Sequence, residues 1–175
     1  MTTTSINSVK LIKLARHFRV TEKEAFDTVF RHGNYINIRL LCNIDGADSV
    51  SQEAFNEIME ADKRLLGMVF SEEAVKERAF SHVPFDLLPR VYFLIFNNEI
   101  VYVGQSSALC NRVMSHQIGN EKHKEFNKVA TFEVTRKDIN IIESVNIRHY
   151  RPLYNKEVMT KEEYFKRVLQ YSFLE

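Results

Sequence analysis

The chain of 175 residues has few glycines, prolines and cysteines, and each shortage excludes a class of protein. Five glycines and three prolines are too few for a disordered or low-complexity chain. Cys42 and Cys110 share no metal-ligand spacing, which favours two reduced thiols. No apolar run approaches the roughly 18 residues of a membrane span, and the N-terminus lacks a basic segment followed by an apolar one. We therefore expect a cytoplasmic globular protein with no membrane partner.

The formal net charge of +1 hides an uneven distribution along the chain. Residues 1–44 have seven Lys/Arg and three Asp/Glu, which gives +4. Residues 45–86 have four against ten, which gives −6, and residues 87–175 have thirteen against ten, which gives +3. Two basic segments flank an acidic one, so a locally positive face is compatible with a nearly neutral chain. The charge alone does not identify a partner.

A helical period dominates the first half of the sequence. Apolar spacing predicts a helix over residues 9–18, and the capping box Thr21-Glu-Lys-Glu24 begins a second helix that reaches residue 31. Further helices are predicted over residues 34–41, after Ser51, and over residues 72–80. Pro84 and Pro89 then mark a change to a period of two. We expect an α+β protein with an all-α domain over residues 1–84 and a mixed domain over residues 85–175.

The second half mixes strands and helices. Strands are predicted over residues 90–96, 100–103 and 129–135, and a helix over residues 107–117. Asp138 suits the N-cap of a further helix, which must end near Tyr150 because Pro152 restricts the residue before it. Thr160-Lys-Glu-Glu163 is a second capping box and predicts a C-terminal helix.

Tyr92 and Tyr102 lie on the first two of these strands, and the connection between the strands decides whether they meet. A two-residue turn at Asn97-Asn98 would put the two rings on opposite faces. A three-residue turn would pair Leu94 with Tyr102, and both rings would then share a face. Convergence of the tyrosines therefore requires an odd loop. Gly104, which follows, permits close backbone approach or a positive φ.

Three side chains beyond this hairpin have chemistry that suits a phosphate ester. Arg112 offers a permanently charged fork of donors, and His116 follows one helical turn later. Glu143, in an isoleucine-rich predicted helix, offers a hard oxygen ligand for Mg²⁺. Taken one at a time, each is more often a solvated surface residue. Asn155, which follows Pro152, is by default a turn residue.

The combined spacing of these residues resembles the GIY-YIG nuclease family. That family has a tyrosine pair on adjacent strands, a glycine, and then an arginine, a glutamate and an asparagine that follows a proline. The matching elements here are Tyr92, Tyr102-Val-Gly104, Arg112, His116, Glu143, Pro152 and Asn155. Two positions depart from the pattern. Arg90 stands where the family name has its first glycine, and Gln105 stands where a basic residue often follows.

The resemblance implies a small three-stranded antiparallel sheet flanked by helices. It also implies one divalent cation, Mg²⁺ or Mn²⁺, and hydrolysis of a phosphodiester in double-stranded DNA. Glu143 would hold the cation, and Asn155 would fix the closing loop.

The same resemblance gives the other residues their expected catalytic roles. Tyr102 would be the general base or would orient the attacking water. Tyr92 would hydrogen-bond that water or the scissile phosphate. Arg112 would neutralise charge on the phosphoryl oxygens, and His116 would assist proton transfer or contact the leaving group. A tyrosine with a pKa of about 10 is a poor base unless a cation lowers it, so the identity of the base stays open.

The first domain is a candidate for target recognition. Its first two helices and the turn at Arg19-Val20 have helix-turn-helix proportions, although Arg19 stands where a glycine is expected. Acidic residues on the second helix would repel phosphates. The residues that we predict to contact DNA are Arg16, Arg19, Arg31, Asn34, Asn37 and Arg39, and the asparagines and Arg39 suit base edges by their chemistry. A role in dimerisation or protein docking, and a purely structural role, remain open for this domain.

Together these features predict a site-directed DNA endonuclease, similar to enzymes of phages and mobile elements. A structure-specific or repair nuclease is the alternative among enzymes. A catalytically silent DNA-binding protein is a second alternative, against which the intact Tyr102, Arg112 and Glu143 argue. A protein that docks a partner or forms a homodimer is a third, supported only by the acidic segment 45–86. The sequence leaves the target open, and also whether one strand or both are cut.

Overall fold

The computed structural model describes residues 8–32, 49–80, 83–118 and 123–172. The chain divides into two compact units, which we call the N-terminal unit (Met1–Arg64 with Thr160–Glu175) and the sheet unit (Leu65–Met159). Within the described ranges, no helix is both long and apolar enough to cross a membrane. In chain order the described elements are β1 (Ser8–Lys10), α1 (Leu11–Phe18), α2 (Glu22–His32), β2 (Ser49–Ser51), α3 (Gln52–Leu66), α4 (Glu72–Glu77), β3 (Ala79–Phe80), β4 (Arg90–Phe96), β5 (Glu99–Ser106), α5 (Leu109–Ile118), β6 (Lys128–Glu133), α6 (Ile139–Tyr150) and α7 (Lys161–Ser172).

The N-terminal unit is mainly helical, but it is not all-α as the sequence predicted. Its strands β1 and β2 form an antiparallel pair in which Val9 lies opposite Val50. Both valines are buried, and β-branched residues fit a strand better than a helix. The first helix therefore begins at Leu11 and not at Val9. The helix predicted over residues 34–41 lies outside the described residues.

Both predicted capping boxes are present. Thr21 Oγ1 accepts a hydrogen bond from the Glu24 N–H at 3.1 Å, and Glu24 Oε2 accepts one from the Thr21 N–H at 2.7 Å. The same reciprocal pair joins Thr160 and Glu163 at 3.1 Å and 2.8 Å. Ser51 Oγ caps α3 at 2.9 Å, as predicted. These side chains satisfy backbone donors that a helix start leaves without a partner.

The turn between α1 and α2 places an arginine in the left-handed region. Arg19 has φ 56° and ψ 42°, and the following Val20 N–H donates to the Ala15 carbonyl at 3.0 Å. A residue with a Cβ costs about 1–2 kcal/mol in this region, which a glycine would avoid. The missing glycine therefore leaves the turn geometry intact and adds local strain.

The structure places the C-terminal helix in the N-terminal unit, whereas the sequence prediction placed it in the second domain. The ring of Phe165 on α7 stacks on that of Phe18 on α1 with centroids 4.2 Å apart. The Tyr164 hydroxyl donates to Asp62 Oδ1 at 2.7 Å, and His17 Nε2 lies 2.8 Å from Asp62 Oδ2. This apolar stack and the polar network around Asp62 tie α1, α3 and α7 together.

The other division between the units falls at residues 64 and 65, and not near the predicted residue 84. The segment after α3 packs on the sheet, because Phe70 stacks on Phe132 with ring centroids 3.8 Å apart. The buried Asn146 side chain accepts from the Phe70 N–H at 3.0 Å and donates to the Met68 carbonyl at 3.0 Å. Prolines mark the predicted boundary, but these contacts determine the actual one.

The sheet unit contains a four-stranded antiparallel sheet in the order β3-β6-β4-β5, where three strands were expected. The extra strand is the two-residue β3, and the helix predicted over residues 72–80 ends at Glu77 instead. Strand β4 is interior, and Val91 to Ile95 are all buried. Phe93 faces α4 and α6, whereas Tyr92 and Leu94 face α5.

The β4–β5 turn differs from the prediction, yet both tyrosines share a face. Asn97 and Asn98 form a two-residue turn with φ values of 47° and 70°, which suits a type I′ hairpin. The register then shifts at a β-bulge, where Val101 is the extra residue and Leu94 comes to lie opposite Tyr102. The odd residue that convergence requires is therefore supplied by the bulge.

The entry to α6 also differs in detail from the prediction. Asp138 has φ −101° and ψ −8° and makes no side-chain cap to the helix. Its carboxylate accepts a hydrogen bond from Thr135 Oγ1 at 2.7 Å, and its N–H donates to the same Thr135 oxygen at 3.2 Å. Thr135 therefore organises the turn before the helix.

The strain at Arg19 gives a test of the α1–α2 turn. Arg19→Gly should stabilise the protein by up to about 1 kcal/mol, because relief of left-handed strain is partly offset by the backbone entropy of glycine. Arg16→Gly is the matched control. Arg16 is an exposed residue inside α1, so the same substitution should destabilise by about 1 kcal/mol. Urea unfolding followed by circular dichroism measures the free energy of unfolding of both variants. An equal decrease in the two variants would contradict the left-handed turn at Arg19.

Candidate active site

The two tyrosines form the centre of the site. Tyr92 on β4 is fully buried, and Tyr102 on the adjacent β5 is partly exposed. Their ring centroids lie 5.9 Å apart. Burial is the main cause that raises the pKa of the Tyr92 hydroxyl far above its usual value, and the neighbouring Tyr102 raises this pKa further. Arg112 lowers the pKa but offsets only part of the increase. Tyr92 is therefore protonated at neutral pH.

Gly104 is required by the close approach of the two rings to the β5 backbone. It lies opposite Tyr92 in the sheet. A Cβ at Gly104 would lie 2.6 Å from Tyr102 Cε1, and 2.7 Å from both Cζ and the hydroxyl oxygen of Tyr92. Distances this short require a neighbour to move. Of the two reasons that the sequence allowed for this glycine, close approach is the one that the geometry supports.

The Arg112 side chain on α5 joins the two tyrosines. Its guanidinium interacts electrostatically with the hydroxyls of Tyr92 and Tyr102. Burial is the largest influence and lowers the pKa of Arg112, but the interactions with the two tyrosines outweigh it, so the net shift is upward. Arg112 is exposed, so it presents a fixed positive charge at the surface beside the two tyrosines.

His116, one helical turn beyond Arg112, lies under Tyr92. Its side chain is 1 % exposed, and its Nε2 lies 2.9 Å from the Tyr92 hydroxyl. Its Nδ1 lies 3.0 Å from Lys124 Nζ. The Lys124 Nζ also lies 4.6 Å from the centroid of the Tyr102 ring, within range of a cation–π contact. Sequence reasoning missed Lys124, because it follows α5 in a segment read only as a loop.

Glu143 on α6 provides the carboxylate of the site. Burial raises the pKa of its carboxyl above the usual value, although hydrogen bonds from Gln105 and the charge of Arg112 oppose this. Gln105 Nε2 also donates to Asn140 Oδ1 on the same helix, at 2.5 Å. Gln105, which stands where the family often has a basic residue, is therefore a neutral partner of the Glu143 carboxylate. It adds no charge beside that group.

Asn155 attaches the chain after α6 to β5. Its Oδ1 accepts from the Val103 N–H at 2.9 Å, and its Nδ2 donates to the Val103 carbonyl at 2.8 Å. The Tyr154 N–H donates to the Val101 carbonyl at 2.9 Å. These bonds satisfy the backbone of β5 on the side away from β4, and they hold the bulge from outside.

Arg90, the other departure from the family pattern, has a structural partner. Its Nη2 lies 2.7 Å from Asp86 Oδ2, and its Nε donates to Asp86 Oδ1 at 3.1 Å. A bidentate pair of this kind fixes both side chains. Arg90 therefore anchors the start of β4, and its guanidinium is engaged with Asp86.

The sequence-predicted residues divide between the two units. Tyr92, Tyr102, Arg112 and His116 meet in the sheet unit, with Glu143 within electrostatic reach of Arg112. Arg16, Arg19 and Arg31 are exposed residues of the N-terminal unit. Asn34, Asn37 and Arg39 lie outside the described residues.

The donor set around Glu143 suits a hard cation. Across the described part of the chain, no three His, Cys, Asp or Glu side chains cluster as metal ligands. Mg²⁺ typically binds through one or two carboxylates, with water and substrate phosphate oxygens completing its coordination. Burial disfavours the ionised form of the Glu143 carboxylate, and a nearby cation would stabilise that form. The chemistry at Glu143 therefore fits Mg²⁺ or Mn²⁺.

Comparison with known proteins gives similarity to solved structures only. No family model and no curated protein matches the chain. A point mutant of the GIY-YIG N-terminal endonuclease domain of UvrC from Thermotoga maritima, bound to its catalytic divalent cation, is 24 % identical, with a TM-score of 0.37, over 50 % of this chain and 100 % of that one. The same domain bound to magnesium is 25 % identical, with a TM-score of 0.36, over 49 % and 99 %. At these TM-scores the likeness carries no argument about function, which has to rest on the side chains.

Proposed function

We propose that the protein is a metal-dependent endonuclease that hydrolyses phosphodiester bonds in double-stranded DNA. The observation that carries this proposal is the convergence of the Arg112 guanidinium on the hydroxyls of Tyr92 and Tyr102, with Glu143 within its electrostatic reach. A fixed cation, two hydroxyls and a hard carboxylate are what an enzyme needs to bind and cleave a phosphate diester. The permanent charge of Arg112 favours an anionic substrate such as a phosphodiester.

The two tyrosines have different roles in this proposal. Burial keeps Tyr92 protonated, so it acts as a hydrogen-bond partner of the phosphate or the attacking water. Tyr102 is the more accessible of the two, and it orients the attacking water or takes its proton. Arg112 neutralises the charge that builds on the phosphoryl oxygens.

The remaining residues hold the reacting groups in place. Glu143 would hold Mg²⁺ or Mn²⁺, which would supply Lewis-acid stabilisation of the phosphate. His116 is hydrogen-bonded to Tyr92 and assists proton transfer through it. Asn155 fixes the loop that covers the outer edge of β5.

Target recognition by the N-terminal unit is the second part of the proposal. Helices α1 and α2 and the turn at Arg19 have helix-turn-helix order and lengths. Arg16, Arg19 and Arg31 contact phosphates in this proposal, and Asn34, Asn37 and Arg39 read base edges. An enzyme of this organisation cuts at chosen sites, as nucleases of phages and mobile elements do.

A structure-specific or repair nuclease is the second candidate. The first turn of α2 is acidic at Glu22 and Glu24. The carboxylate of Glu24 is also held at the helix start by Thr21, which would bring negative charge to a phosphate backbone. If α2 is unable to enter a groove, specificity resides in the shape of the DNA at the sheet unit. Cleavage of random and branched duplexes in parallel separates the two candidates.

The metal role of Glu143 can be tested without relying on cleavage alone. Glu143→Gln should abolish Mg²⁺-dependent cleavage while DNA affinity stays within about twofold. Mg²⁺ at 100 times its Kd should stabilise the parent by about 2.7 kcal/mol and leave the variant unaffected, as thermal unfolding measures. Glu133→Gln, at an exposed glutamate on β6, is the matched control and should behave as the parent. Equal loss of binding and cutting would contradict this division of roles.

Salt dependence tests the N-terminal unit as a DNA-binding surface. Replacing both Arg16 and Arg31 by Gln should make the log–log slope of affinity against salt less steep by about 1.8, since each phosphate contact contributes about 0.9. Arg136→Gln with Lys137→Gln removes the same charge from exposed positions of the sheet unit and is the control. An unchanged slope for the first pair would exclude these arginines as phosphate contacts.

A further inference from the structure

Lys124 makes three contacts with the site, although the roles set out above do not use its side chain. Its N–H donates to the His116 carbonyl at 3.1 Å, which fixes the segment after α5 against the helix. Its Nζ lies 3.0 Å from His116 Nδ1 and 4.6 Å from the Tyr102 ring centroid. The Lys124 side chain therefore contacts both Tyr102 and His116, the histidine that lies beside Tyr92.

The pairing of Lys124 with His116 determines which imidazole nitrogen carries the proton. A lysine ammonium has donors and no acceptor, so Nδ1 must be the acceptor in this contact. A second positive charge on a buried ring 3.0 Å from the ammonium would be costly, so the imidazole is neutral. The neutral ring then carries its proton on Nε2.

The tautomer determines the direction of the next hydrogen bond. With a proton on Nε2, His116 donates to the Tyr92 oxygen at 2.9 Å. The Tyr92 O–H is then directed away from His116, toward Tyr102, whose ring centroid lies 5.9 Å from that of Tyr92. With the opposite tautomer, Nε2 would accept, and the Tyr92 proton would be tied to His116.

We propose that Lys124 is a positioning residue that holds His116 as the Nε2–H tautomer and so directs the Tyr92 hydroxyl proton toward Tyr102 and the reacting phosphate. Its effect on cleavage rests on the proposed nuclease function, whereas its effect on the tautomer does not. Because Lys124 acts through His116 and Tyr92, removing its ammonium alters orientation and leaves the tyrosines, Arg112 and Glu143 in place.

The test is ¹⁵N NMR of the His116 ring in the full-length protein, with the signal assigned by its loss in His116→Asn. The parent should show the Nε2–H tautomer. Lys124→Met, which keeps the length of the side chain without its charge, should shift the ring toward a mixture or toward Nδ1–H. Lys124→Arg, which keeps the donors, should retain the parent tautomer. Lys128→Met, at an exposed lysine on β6, is the matched control and should change nothing.

Cleavage by the same variants gives the second measurement. Lys124→Met should slow cleavage by about 10²-fold, the lower end of the range for general acid–base groups, and Lys128→Met should stay within about twofold of the parent. An Nδ1–H imidazole in the parent overturns the proposal whether or not any variant folds. An unchanged tautomer in folded Lys124→Met overturns it as well. A tautomer that responds as expected, in a protein that cleaves no DNA, upholds the placement of Lys124 and contradicts the nuclease function.

Discussion

One extra residue in β5 brings the two tyrosines of the candidate site onto one face of the sheet. Side chains alternate between the faces of a strand, so the two-residue turn at Asn97-Asn98 would leave Tyr92 and Tyr102 on opposite faces. The bulge at Val101 reverses that parity. Asn155 and Tyr154 then hold β5 from its outer side. Every later feature, from the contact with Arg112 to the requirement for Gly104, depends on the two rings sharing that face.

The shared face also sets the electrostatics of the site. Tyr92 is buried against α5 and keeps its proton, and Arg112 on the same helix adds a permanent charge beside both hydroxyls. Glu143 comes from a helix on the other face of the sheet and lies beside Gln105. The buried, low-dielectric surroundings of Tyr92 strengthen the electrostatic attraction between the charged Arg112 and an anionic group. The fold thus brings donors and a carboxylate to one end of β5.

The sequence predicted local features better than it predicted packing. Both capping boxes and the strand Arg90–Phe96 follow from local patterns, and the structure has them. The structure divides the chain at other residues than the sequence predicted, because stacking of Phe165 on Phe18 and of Phe70 on Phe132 joins segments far apart in the chain. The bulge has no sequence signal of its own. Lys124 was missed because a lysine in a loop is ordinary until its distance to His116 is known.

The most direct test of the account is cleavage of DNA by the Arg112→Ala variant in Mg²⁺, compared with the parent under the same conditions. The parent should cut the duplex. The variant should be slower by at least about 10²-fold, the scale for removing one preorganised donor at an oxygen on which charge develops. DNA affinity, measured beside it, should change far less. A variant that cuts within a few-fold of the parent would show that Arg112 takes no part in cleavage and would contradict the proposed site.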